Sequence, residues 1–135
     1  MSIRTLVLAA ALSAVAFAQP PKQDTVQVTL PYPVIVGGKT LQPGTYTIEQ
    51  MPDTGDTPVL VIYNNGFRLQ TVAMTVRSLD LKPPAKCSVN LRRLGINYYL
   101  AQVWVEGNPY GYTIVLPASV RNREKEMESV SLPAR

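Results

Sequence analysis

Five aromatic residues, Tyr98, Tyr99, Trp104, Tyr110 and Tyr112, fall between positions 98 and 112, with Arg92 and Arg93 shortly before them. Rings that share an exposed face stack on sugars or on a partner protein, and an arginine fork beside them grips a carboxylate. On that reading the ligand-binding candidates are Tyr98, Trp104, Tyr110, Tyr112 and Arg92, with Tyr110, in a turn, the best exposed. The competing reading is core filling and cross-strand pairing by residue types that suit strands in any case. Alternation assigns about half of the rings to an internal face, so both readings stand at this point.

Other chemistry is limited by what is missing. Histidine is absent from all 135 residues. Ser-His-Asp and Cys-His triads are thereby excluded, as are the imidazole ligands that most metal sites use. Cys87 is the single cysteine, so no internal disulfide can form. Its phase matches Val89 and Leu91, which makes it a small buried apolar residue rather than a reactive thiol. Asp53-Thr54-Gly55 carries the residues with which dimeric aspartic proteases pair two carboxylates around one proton and activate water. That triplet normally follows large apolar residues on a strand, whereas Met51-Pro52 precede it here in a polar run, so a surface loop accounts for it better. Asp53 and Asp56 supply two carboxylates, too few for a calcium ion that takes roughly six or more oxygens. Glu49, Asp80 and Glu106 lie in unrelated segments, so no acid pair for glycoside hydrolysis can be assigned. No catalytic residue, metal ligand or cofactor is expected.

The elements that must position these side chains read as strands. Val26, Val28 and Leu30 alternate with Thr25, Gln27 and Thr29, the period-2 pattern of a half-buried strand. Val34-Ile35-Val36 runs into Gly37-Gly38, a pair suited to the positive φ angles of a tight hairpin. Pro43-Gly44 signals a type II turn before Tyr46 and Ile48. Val59 to Tyr63 is a continuous apolar run, fit for a strand buried on both faces or central in its sheet. Asn64-Asn65-Gly66 favours a type I′ turn, and Phe67 to Val76 returns. Leu79 to Lys86 is an irregular connection containing Pro83-Pro84. Cys87, Val89 and Leu91 alternate, and Gly95-Ile96-Asn97 turns the chain. Uninterrupted alternation along Tyr98 to Val105 assigns Tyr98, Leu100, Gln102 and Trp104 to one face, and Tyr99, Ala101, Val103 and Val105 to the other. Tyr112 to Leu116 reads as the last strand. Short strands about ten residues apart predict an all-β fold, an antiparallel β-sandwich or small barrel of about 7–9 short strands.

Composition agrees with one globular domain: 46% of the residues are hydrophobic and 16% charged. The ends differ from the middle. Arg4, the apolar run Leu6–Ala16 and Ala16-Phe17-Ala18 make residues 1–18 a signal peptide, with cleavage expected before Gln19. That run is too short to span a bilayer, which needs about 20 apolar residues, so no membrane span is expected after cleavage. Losing Arg4 leaves 12 basic against 9 acidic residues, a charge of +3, scattered and too mild to argue for nucleic acid. Residues 19–23 read as a linker and 24–117 as the β domain. After Pro117 the chain turns charged, and 118–135 reads as a short, weakly docked helix or frayed end with Ser119 as its N-cap.

Several segments together resemble a known group. Leu30-Pro-Tyr-Pro-Val-Ile-Val-Gly-Gly-Lys-Thr-Leu-Gln-Pro-Gly-Thr-Tyr46 resembles the P-F-x-V-x-V-G…L-P-A-G-x-Y opening of short exported β proteins abundant in Acidobacteria and related soil bacteria. Leu91-Arg-Arg-Leu-Gly-Ile-Asn-Tyr-Tyr-Leu-Ala-Gln-Val-Trp104 is similar to their R-x-G-x-x-Y-F-L-x-x-v-W segment. Gln42 and Pro43 depart from that opening, as does the Tyr110-Gly-Tyr112 insertion. The resemblance implies a β-sandwich or barrel outside the cytoplasm and supplies no catalytic residue.

The expectation is therefore an exported, non-enzymatic β protein in the periplasm or at the cell surface, serving as an envelope structural or protein-interaction module. Its expected partners are itself or another envelope protein, met through strand edges by β-augmentation. A small-ligand or glycan-binding module using the Tyr/Trp face is the alternative, and an aspartic-protease-like hydrolase ranks last.

Overall fold

The computed structural model describes residues 24–52 and 57–135. The expected signal peptide, the linker and the Asp53–Asp56 segment lie outside the described residues.

Ten strands form among the described residues: β1 (Thr25–Leu30), β2 (Val34–Val36), β3 (Lys39–Leu41), β4 (Gly44–Gln50), β5 (Val59–Asn64), β6 (Leu69–Leu79), β7 (Ser88–Leu94), β8 (Asn97–Trp104), β9 (Tyr110–Ile114) and β10 (Glu128–Pro133). The fold is all-β, and among the described residues its helical parts are one four-residue helix α1 (Ala118–Arg121) and a 3₁₀ turn at Glu124–Glu126. Antiparallel pairing runs β1–β4–β5–β6–β9–β8–β7–β10. The chain end then returns to β1. Val28 bridges Ala134, and Gln27 and Arg135 exchange N–H···O bonds of 2.9 and 3.0 Å. These contacts close the ring into a barrel of eight strand positions.

One position in that ring is shared. β7 occupies one edge of β8. On the other edge β9 pairs with Gln102 and Val103, while β2 runs parallel to the other half of the strand at Tyr99. β2 belongs to the Gly37-Gly38 hairpin, whose glycines adopt φ of +56° and +78° as the sequence implies. Gly37 backs so closely onto β6 that a Cβ there would lie 2.7 Å from the Val72 carbonyl oxygen.

Alternation explains the core. Val26, Val28 and Leu30 of β1 point inward, joined by Ile48 of β4, Leu60 and Ile62 of β5, Val89 and Leu91 of β7, and Ile114 of β9. Fully burying each Val, Leu or Ile contributes about 1.5–3 kcal/mol, which lets the barrel dispense with a disulfide. β5 lies between β4 and β6, the central place its apolar run predicts.

Three local readings are corrected. First, alternation breaks in β8. Leu100 faces Leu91, yet Gln102 faces Asn90, so Ala101 is an extra residue in a β-bulge. Tyr98 and Leu100 therefore join Val103 on the inner side, while Gln102 and Trp104 turn outward. Second, Asn64-Asn65-Gly66 does not make the two-residue type I′ turn. The Phe67 N–H donates to the Asn64 carbonyl and Phe67 takes φ +58°, the geometry of a three-residue loop with a bulge. Oδ1 of Asn64 accepts from the N–H groups of Gly66 and Arg68, both at 2.9 Å, and so holds this longer loop. Third, the charged tail holds only the α1 turn and the 3₁₀ turn before becoming β10. Ser119 does not cap that turn; Pro117 stands at its N-cap position, with no side-chain hydrogen bond. Val130 and Leu132 alternate with Ser129 and Ser131, and the open edge of β7 gives that pattern a place to pair.

Candidate functional site

The five sequence-chosen residues do not share a face. Tyr98 is half-buried in the inner layer, where its ring stacks on Tyr32 with centroids 3.9 Å apart and planes at 21°. Burial raises the Tyr32 phenol above its ordinary pKa, with Tyr98 adding to the effect. Arg92 lies half-buried on β7 opposite Tyr99, which is itself covered by Val120 and Met127 of the chain returning from β9. Trp104 is on the outer wall, half-buried, its ring flat against the backbone of Gly111 on β9. The Trp104 indole N–H donates to Oε1 of Gln102 at 3.4 Å, and Gln102 in turn meets Asn90 and Thr113. This outer polar ladder ends at Ser78, whose hydroxyl pairs with that of Thr113. Tyr112 is buried on the inner side. Tyr110 is 47% exposed at the start of β9, the exposure expected of it.

Only Tyr110 and Tyr112 come together, at the mouth of the barrel where β1 and β9 begin. A cavity of about 280 Å³ opens there between Asp24, Gln50, Arg77, Asn108, Tyr110 and Tyr112. Asp24 precedes β1 in phase with Val26 and Val28, so its side chain falls on the inner side at the rim. Its Oδ2 accepts the Tyr112 hydroxyl at 2.5 Å and the Asn108 amide at 3.0 Å. Burial, and then the hydrogen bond to Asp24, push the Tyr112 phenol well above its ordinary pKa. Arg77 stands opposite Tyr112 on β6, exposed, and pulls weakly the other way. The mouth therefore presents one guanidinium, one carboxylate and an exposed ring, groups that together can hydrogen-bond and stack on a small polar molecule. Sequence reasoning missed Asp24, Arg77 and Asn108. The phase of Asp24 was readable, but no spacing rule brings residues 24, 77 and 108 to one place.

Cys87 packs partly buried against the core, and its sulfur accepts the Glu106 N–H at 3.4 Å. No group of three His, Cys, Asp or Glu side chains gathers among the described residues. A second, open groove of about 700 Å³ follows the β1–β10 seam past Gln27, Thr29, Thr45 and Arg135.

An exposed apolar row was not singled out from the sequence. Along β6 the inner positions are the small Ala73 and Thr75, both buried. Their neighbours Val72, Met74 and Val76 point out and are 46%, 61% and 54% exposed. Val59 and Val61 of β5 flank them through the register Val59–Met74 and Val61–Val72. Val115 adds to the same wall, its N–H bonded to the Met74 carbonyl. Thr75 stays inside because its hydroxyl donates to the Pro58 carbonyl at 2.9 Å, which satisfies the one fully buried polar side chain on this strand.

Neither a protein-family model, nor a curated protein, nor a solved structure matches this chain.

Proposed function

We propose that this chain is an exported, non-enzymatic interaction module, and that a second copy of itself docks on the outer wall of β6. The observation that carries this reading is the row Val72, Met74 and Val76, three large apolar side chains exposed on one strand face. Exposed apolar residues normally occur singly, and a contiguous set flanked by further valines marks a contact surface. The β6 face itself carries no charged residue between Leu69 and Val76, so that row does not repel its own copy across a two-fold axis. Pairing through strand edges is the weaker route, because ring closure leaves the three-residue β3 as a short free edge. Export rests on the leader-like residues 1–18 and on the resemblance to exported β proteins.

Light scattering on the processed protein over a range of concentrations tests the reading. The expected result is a dimer that Met74→Lys converts to a monomer without changing the far-ultraviolet spectrum. A wild-type protein that stays monomeric at the highest attainable concentration would sink it.

A small polar or sugar ligand at the mouth is the second reading, favoured by the joint presence of Arg77 and the exposed Tyr110. It draws less support because Tyr98 and Trp104 face elsewhere.

A further inference from the structure

Phe67 occupies a position where glycine is the usual residue. In a three-residue hairpin loop the residue after the type I turn takes a left-handed conformation, which a side chain makes costly. Phe67 nevertheless sits there at φ +58°, the single non-glycine residue with positive φ among the described residues, and is 73% exposed. It gains little burial in return. A strained backbone that holds an aromatic ring out in solvent points to a use for that ring.

The barrel places a second apolar tip at the same end. β5 runs toward its hairpin with β6, and the antiparallel ring makes β7 run the same way toward its hairpin with β8. Ile96, in the β7–β8 turn, is 92% exposed. Leu69, beside Phe67, is 59% exposed. The charge around these tips has one sign. Two ion pairs occur among the described residues, Arg93 with Glu128 and Arg123 with Glu126, and they neutralise four charges in this half of the barrel. Of the remaining charges on the β5–β6 loop, the end of β7 and the segment 117–128, Arg68, Arg92, Arg121 and Lys125 are basic and Glu124 alone is acidic.

We infer that this end of the barrel docks on an anionic lipid surface, with Phe67 and Ile96 inserted at the headgroup level and the four cations over the lipid charge. Two hydrogen-bonded hairpins hold both apolar side chains out before contact, so little ordering entropy is lost on docking. Each cation near an anionic leaflet adds a modest attraction that salt screens. The side wall of β6 is left free, so this contact and self-association through Met74 are independent.

Vesicle sedimentation of the processed protein, its N-terminus defined by mass spectrometry, tests the inference with two probes: phosphatidylcholine vesicles and phosphatidylcholine–phosphatidylglycerol vesicles. Binding is expected to the mixed vesicles only and to weaken with added salt. Phe67→Gly and Ile96→Ser should each lower the partition coefficient by roughly tenfold or more, the effect of withdrawing one large apolar side chain. Phe67→Gly should also raise the thermal midpoint, because it relieves the backbone, so its weaker binding is separated from misfolding. Equal binding to both vesicle types, unchanged binding by both variants, or no binding by the wild type would each overturn the inference. Capture of a protein partner that needs Phe67, with no vesicle binding, would overturn it as well.

Discussion

The Tyr112 phenol donates to Oδ2 of Asp24 at 2.5 Å, joining the residue before β1 to the middle of β9 across 88 positions of sequence. The same oxygen takes the amide of Asn108 from the β8–β9 loop. Three segments distant in the chain are thus tied at one mouth of the barrel. Hydrogen bonds to a charged group are worth about 1.5–3 kcal/mol, more than the neutral kind. Tyr112→Phe should therefore lower stability by about that amount. Urea unfolding is the check, with a lower midpoint at unchanged slope as the expected result. An unchanged midpoint would mean that Asp24 finds an equal partner in water.

The same contact sets a response to alkali. The Tyr112 phenol has a folded pKa raised above its unfolded value near 10. The folded state therefore keeps its proton where the unfolded state has lost it. By linkage, this contribution is fully present below about pH 10 and is lost progressively as pH rises from there toward the folded value. Stability measured across that range should fall more steeply for the wild type than for Tyr112→Phe. Parallel curves would show that the phenol titrates freely.

Trp104 and Gly111 form a cross-strand pair in which the indole takes the space a side chain would need. A Cβ at position 111 would lie 2.5–2.7 Å from three ring atoms of Trp104. Gly111→Val must push the indole off the wall, at a cost of about 1–3 kcal/mol by analogy with overpacked cores. The ring would move into water, so tryptophan emission should shift to the red. Unshifted emission would indicate that the sheet yields instead of the ring.

β10 closes the ring, and its removal leaves β1 and β7 with open edges. A chain ending at Met127 would also uncover the core beside Val130 and Leu132. Such a truncation should unfold without a cooperative transition and aggregate, as exposed edges do. Calorimetry decides, and a sharp transition in the truncated chain would show that β10 is dispensable.

The residues that proved hardest to read are those whose geometry depends on a distant neighbour. Tyr98 and Trp104 are six apart and belong to one face by simple alternation, yet the bulge at Ala101 sends them to opposite sides of the wall. Nothing local marks Ala101 as the extra residue; the bulge lets Leu100 and Val103, three apart, both reach the core. The β6 wall shows the same limit. Val72, Met74 and Val76 are the larger side chains and local pattern alone would bury them, but the interior at that level accepts Ala73 and the Pro58-bonded Thr75. Tyr110 was legible because the first residue of a strand, next to a turn at the rim, has few neighbours to bury it.

Period-2 alternation, glycine and proline at the turns and the lack of any long helical stripe determined an all-β chain, since these depend on each residue and its nearest neighbours. Ring closure by Ala134 and Arg135 on β1, the conversion of the charged tail into β10, the bulge in β8 and the meeting of Asp24, Arg77 and Tyr112 were decided only by tertiary structure. Each of these requires a strand edge or an interior volume that exists once the other strands have assembled, and a local pattern carries no record of either.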